Sequence, residues 1–198
     1  MDLQRTFQGL TNSISNIPSF FTKSEPLIYN QKISTSSVPT KIPNVPDQYQ
    51  DAVRKASVHS RIPESNLSAQ FNSENGGNWD PKLRGRADPT DFGVTQLNPI
   101  AIQTITGKNG GRNYFRDNYG QEFNPADANH QILAAGIYLN YLRQFALPAA
   151  GIKNPTDQDV MTAYNTGAQG YANAKNGDQA ASKRARNYQS LLTAHGAK

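Results

Sequence analysis

The chain has 198 residues, with 20 Lys or Arg against 15 Asp or Glu, for a formal net charge of +5. It has no Cys, which excludes a disulfide scaffold, a thiol nucleophile and Cys-ligated zinc, and its three His are too far apart for a zinc-hydrolase motif. No run approaches the ~18 apolar residues of a membrane span, and with only 18% charged residues the polarity rests on Asn, Gln, Ser and Thr, which suits neutral polar ligands.

Residues 1–45 read as a tail and linker. Leu3, Phe7, Leu10, Ile14, Ile17 and Phe21 recur at steps of four and three, the ~3.5-residue stripe of a coiled-coil or docking helix. The residues between them are middling helix formers and Pro18 breaks the run, so a partly disordered tail is the alternative. Neither the positive start nor the continuous apolar core of a secretory signal is present. Residues 22–45 are rich in Ser, Thr, Pro and Lys, the composition of a linker.

From residue 46 to 198 the helix signals are dense. Asp47 is placed to cap a helix through about His59, and Pro63 to start one that ends at Gly76-Gly77. Residues 78–97 hold prolines, glycines and Asp-containing turns and read as an irregular loop or small hairpin. Asn98-Pro99 opens a short helix with Ile102 and Ile105, ended by Gly107. A second short helix with Tyr114 and Phe115 lies between Gly110-Gly111 and Gly120. Asn124-Pro125 begins the longest helix, through about Leu147, with Ile132, Leu133, Gly136, Leu139, Tyr141 and Leu142 facing inward. Thr156 and Asp159 form a capping-box-like start for a helix to Asn165. Asp178 caps a last helix with Tyr188, Leu191 and Leu192 as its apolar residues. The sum is a mainly α domain with one small irregular or β insertion.

A sequence pI near 9.4 points to an anionic partner. The densest basic cluster, Lys183-Arg184-Ala185-Arg186, reads as a solvated helix face, with anionic polymer or nucleic acid as the sharper alternatives. Tyr188 is the only aromatic residue nearby, which gives no support to specific nucleic-acid binding. Asp91-Phe92-Gly93 and Gly107-Lys108-Asn109-Gly110-Gly111 resemble a kinase tripeptide and a phosphate loop, but each lacks its companion motifs and reads as a turn.

Chemistry is concentrated at the end of the helix at 63–75. Leu67, Phe71 and Glu74 share one face, so an apolar stripe ends in a carboxylate. Desolvation there favours the protonated acid, as does the negative end of the helix dipole. A Glu of this kind can protonate a leaving oxygen at neutral pH. The plain alternative is an exposed Glu at a frayed helix end.

The segments Ser73-Glu74-Asn75-Gly76-Gly77, Phe92-Gly93-Val94-Thr95-Gln96-Leu97, Gln131-Ile132-Leu133-Ala134-Ala135-Gly136-Ile137-Tyr138-Leu139 and Ala163-Tyr164-Asn165-Thr166-Gly167 together resemble the soluble lytic transglycosylase domain. That family is lysozyme-like and acts on peptidoglycan. Its pattern is a Glu-Ser ending a helix, a Gly-Leu-Met-Gln turn, an Asn-Ile-containing helix and an Ala-Tyr-Asn-Ala-Gly segment. The resemblance covers about residues 50–170. This chain departs from it at Asn75, at Val94-Thr95, and at Gln131 and Ala135. Gln96 follows Glu74 by 22 positions, more than is usual in the family, and the extra length falls in 83–90.

The resemblance implies an α+β lysozyme-like fold whose insertion lies beside an active-site cleft. Glu74 would be the single general acid/base on the bond between N-acetylmuramic acid and N-acetylglucosamine, closing a 1,6-anhydro ring without water. Tyr164 would bond near the acid or the reacting N-acetyl group. Gln96 and Asn165 would bind sugar amides and hydroxyls, and Phe92 and Gly93 would form a cleft wall. No cofactor and no metal are implied. The Phe92–Gln96 turn also resembles that of goose-type lysozymes, in which case Asp91 or Asp88 would activate water ~6.5–9.5 Å from the acid. A non-catalytic wall-binding or virion-structural module is the third reading. The implied substrate is peptidoglycan glycan strands, which lie outside the cytoplasm. With no signal peptide read from the sequence, delivery by a phage particle or a secretion apparatus is expected, docked through residues 3–21.

Overall fold

The computed structural model describes residues 40–85 and 88–198. The stripe at 3–21 and most of the linker lie outside the described residues. The architecture is mainly helical. A 3-10 turn at Asp47–Tyr49 leads into α1 (Gln50–Ser60), followed by α2 (Glu64–Asn75), α3 (Pro99–Thr106), α4 (Tyr114–Tyr119) and α5 (Ala128–Tyr141). Helix α5 runs on through a π-turn at Leu142–Ala146 and a last turn at Leu147–Ala149; α6 (Asp157–Thr166), α7 (Ala168–Lys175) and α8 (Gln179–Ala194) complete the chain. Among the described residues, strand pairing is limited to two isolated antiparallel bridges, Arg84 with Phe92 and Phe92 with Leu97. No helix among them is long and apolar enough to cross a membrane.

Helix ends follow local chemistry. Pro63 precedes α2 and Gly76, at φ 62°, ends it in the left-handed conformation that costs Gly least. Asn98 accepts from the Ala101 amide, Thr156 and Asp159 close a reciprocal capping box, and Asp178 accepts from the Ala181 amide.

Several details differ from the sequence reading. Asp47 opens the 3-10 turn, and α1 starts after it without a side-chain cap. Helix α5 starts at Ala128, capped by Asp127 rather than by the Asn124-Pro125 pair. Proline 148 explains the π-turn. It has no N–H for the Gln144 carbonyl, and its ring crowds that carbonyl, so the preceding turn widens. Tyr141 is only half-buried and Leu191 is 41% exposed. Helix α7 was not expected at all.

One hydrophobic core runs from Ile42 to Leu192. Ile42 and Val45, in the expected linker, are buried in it. The Gln50 side chain holds them by accepting from the Ile42 amide and donating to the Ile42 and Val45 carbonyls. Helices α1 and α5 cross at backbone contact. A Cβ placed on Gly136 would lie 2.8 Å from the Ala56 Cα and 3.0 Å from its carbonyl oxygen. Backbone cannot yield as a side chain can. Gly136→Ala is therefore expected to destabilise the protein by about 1–3 kcal/mol, read as a lowered denaturation midpoint.

Candidate active site

Glu74 lies on the last turn of α2. Phe71 and Leu67, one and two turns earlier on its face, are fully buried, so the apolar stripe does run into the carboxyl. Trp79 steadies the exit from α2, packing edge-on against Phe71 at 6.4 Å and stacking on Tyr49 at 5.8 Å. Asn75, where the resembled family has Ser, is buried. Its amide donates to the Val94 carbonyl at 2.9 Å, and its oxygen accepts from the Gly77 amide. The residue after the acid thus ties the helix end to the 93–96 turn.

Glu74 opens onto a cleft of about 950 Å³. Asp91, Gln96, Tyr164, Asn165 and Arg184 line it as well, and Asp88 stands at its edge. Sequence-distant segments are therefore brought to one place. Phe92 and Gly93 do not line the cleft; they brace the loop behind it. Phe92 carries both β-bridges with its ring under the Arg84 guanidinium, and the Gly93 amide donates to the Leu83 carbonyl at 2.8 Å. Gly93 has φ +76°, and a Cβ there would lie 2.1 Å from the Gln131 side-chain oxygen. Gln96 lines the cleft in a left-handed conformation, φ 49°, with its amide nitrogen donating to the Gly93 carbonyl.

The tyrosines divide the work differently from the expectation. Tyr164 is buried in the cleft wall, but its hydroxyl donates to the Thr95 carbonyl at 2.8 Å, not to the acid. The partner of Glu74 is Tyr188 of α8, whose hydroxyl donates to Oε1 at 2.5 Å. In sequence Tyr188 reads only as an apolar residue of the last helix. One signal for its role was present: Arg184 and Tyr188 lie at i and i+4 on the stripe of α8, and both reach the site.

Burial pushes the Glu74 carboxyl from its ordinary 4.5 up to about 7. The bonds from Tyr188 and Asn165 oppose this, the negative charge of Asp91 adds to it, and Arg184 opposes it. Burial also raises Asp91, helped by the charge of Asp88, with Arg184 opposing. Asp88 is held below its ordinary value by the hydroxyl and amide of Thr90, which both donate to it. An acid poised near neutrality can both give and take a proton. Tyr188→Phe removes a donor that favours the carboxylate, so the Glu74 titration is expected to move further upward from about 7. NMR titration of the carboxyl carbon would show this, and a downward move would contradict it.

Among the described residues, no group of three or more His, Asp or Glu comes together to hold a metal ion. Neither a protein-family model nor a curated protein matches the chain.

Proposed function

We propose that this protein cleaves peptidoglycan glycan strands as a lysozyme-like lytic transglycosylase, with Glu74 as its one acid/base. The observation that carries the reading is a carboxyl pushed up to about 7 at the end of a core helix, opening into a cleft lined by polar side chains. Tyr188 donates to Oε1, so the transferable proton sits on Oε2. Oε2 protonates the oxygen between N-acetylmuramic acid and N-acetylglucosamine, and that bond breaks. The neighbouring N-acetyl group shields the cationic C1. The carboxylate then takes the proton of the muramoyl 6-hydroxyl as that oxygen bonds to C1, which returns Glu74 to its acid form. Asn165 and Gln96 bind sugar amides and hydroxyls, and Tyr164 shapes the wall. The enzyme reaches the wall from a phage particle or secretion apparatus.

Hydrolysis is the second reading, because Asp91 lines the same cleft and its charge reaches Glu74. Mass spectrometry of muropeptides released from purified wall separates the two. Anhydro-muropeptides are expected from wild type and none from Glu74→Gln. Reducing ends would make the reaction hydrolysis, with Asp91 or Asp88 as the base that activates water. No products from wild type would reduce the site to wall binding.

A further inference from the structure

Helix α2 carries one side chain that its surroundings leave unanswered. Gln70 is fully buried, and among the described residues neither its amide oxygen nor its amide nitrogen has a hydrogen-bond partner. Buried amides are normally paired, because an unpaired one loses its bonds to water without replacement. Its neighbours on the same helix face place it. Asn66, one turn earlier, exchanges two bonds with the Lys198 backbone, accepting at 3.0 Å and donating at 3.2 Å. Glu74, one turn later, accepts from Tyr188 of α8. Gln70 therefore sits between them, in the seam of α2 with α8 and the chain end. Leu192, one turn past Tyr188, is buried and has no polar side-chain atom to offer.

Helical side chains lean toward the N-terminus, so the Glu74 carboxyl lies over the turn that bears Gln70, within reach of a Gln four positions earlier. In the acid form, Oε1 accepts from Tyr188 and Oε2 keeps the proton. Proton transfer leaves a buried anion whose two oxygens both accept, and an anion draws donors more strongly than a neutral acid does. The groups facing this carboxyl are Tyr188 and Arg184 from α8, Tyr164 and Asn165 from α6, and Asp91 from the α2–α3 connection. Gln70 can join the donors among them without breaking any bond of its own. We infer that Gln70 is a positioning residue: when Glu74 gives up its proton, the Gln70 amide turns to donate to the carboxylate and holds it in place for its second task, as base. This rests on the acid/base reading of Glu74 above.

The test compares wild-type protein with Gln70→Met, which keeps the length of the side chain and removes the donor. The Glu74 carboxyl carbon is titrated by NMR without substrate. In Gln70→Met its midpoint is expected to rise by about 0.5–1 pH unit, or roughly 3–10-fold in proton affinity, because a donor to the charged form is gone. The alkaline limb of kcat/KM for muropeptide release should move up with it. In wild type the Gln70 side-chain N–H signals should shift downfield with the same midpoint as Glu74. A midpoint that is unchanged or lower in Gln70→Met overturns the assignment. So do wild-type Gln70 signals that ignore the Glu74 titration, a readout that needs no variant to fold. If the shifts are found but wild-type protein releases no muropeptides, the cleavage reading falls and the Gln70 pairing stands.

Discussion

Glu74→Gln is expected to lose glycan cleavage by roughly 10²–10⁴-fold and to be the more stable protein above pH 7. Both effects have one cause. Burial raises the carboxyl from 4.5 to about 7. Below pH 4.5 it is protonated in the folded and the unfolded chain alike, and folding is indifferent to it. Between 4.5 and 7 the folded chain keeps a proton that the unfolded chain has released, so stability falls as pH rises through this window. Above 7 the folded protein carries a poorly solvated carboxylate, at a cost of about 3 kcal/mol if the whole shift is expressed. Gln removes the charge and keeps an oxygen for Tyr188. The variant should gain about 2–3 kcal/mol, or about 4–10 °C in melting temperature, at pH 8 and almost nothing at pH 4. Thermal melts at the two pH values check this. An equal gain at both would mean that the carboxyl is not desolvated.

Gln131→Leu should produce the largest loss of stability. Gln131 is fully buried on α5, and its side chain joins two loops, the α2–α3 connection and the α4–α5 connection. Its oxygen accepts from the Val94 amide at 2.8 Å, and its nitrogen donates to the Pro81 and Pro125 carbonyls at 2.9 and 2.7 Å. Leu fills similar space and leaves all three backbone groups without that partner. At about 1–3 kcal/mol for each buried group left unsatisfied, a loss of about 3–5 kcal/mol is expected after local relaxation. Urea denaturation measures it. The surviving folded protein should also bind glycan more weakly, because the 81–96 wall of the cleft loses its anchor. A loss under about 1 kcal/mol would show that the loops hold themselves.

These residues show what the sequence discloses and what it hides. Helices announced by caps or breakers were legible, as at Asn98-Pro99, Thr156 with Asp159, and Asp178, because those signals act within one turn. Helix α7 has no such signal. It starts at Gly167 without a side-chain cap and contains Gly170. Its order comes from packing, with Tyr171 buried and its hydroxyl donating to Asp159. The position of Glu74 could be read because an apolar stripe is periodic. Its bond to Tyr188 could not, since no local rule pairs side chains so far apart in the chain. Gln131 stood out only as a departure from a family pattern. That it binds two loops depends on how those loops return to α5, which no spacing encodes.

The bond from Tyr188 to Glu74 spans 114 positions of sequence, and this sets an order of events during synthesis. The ribosome delivers α2 with its acid well before α8. Until α8 docks, Glu74 lacks Tyr188, and the cleft lacks Arg184. A chain that stops before α8 is without the Tyr188 hydroxyl and the Arg184 cation that act on Glu74. The site is therefore complete only in chains that have been translated through α8.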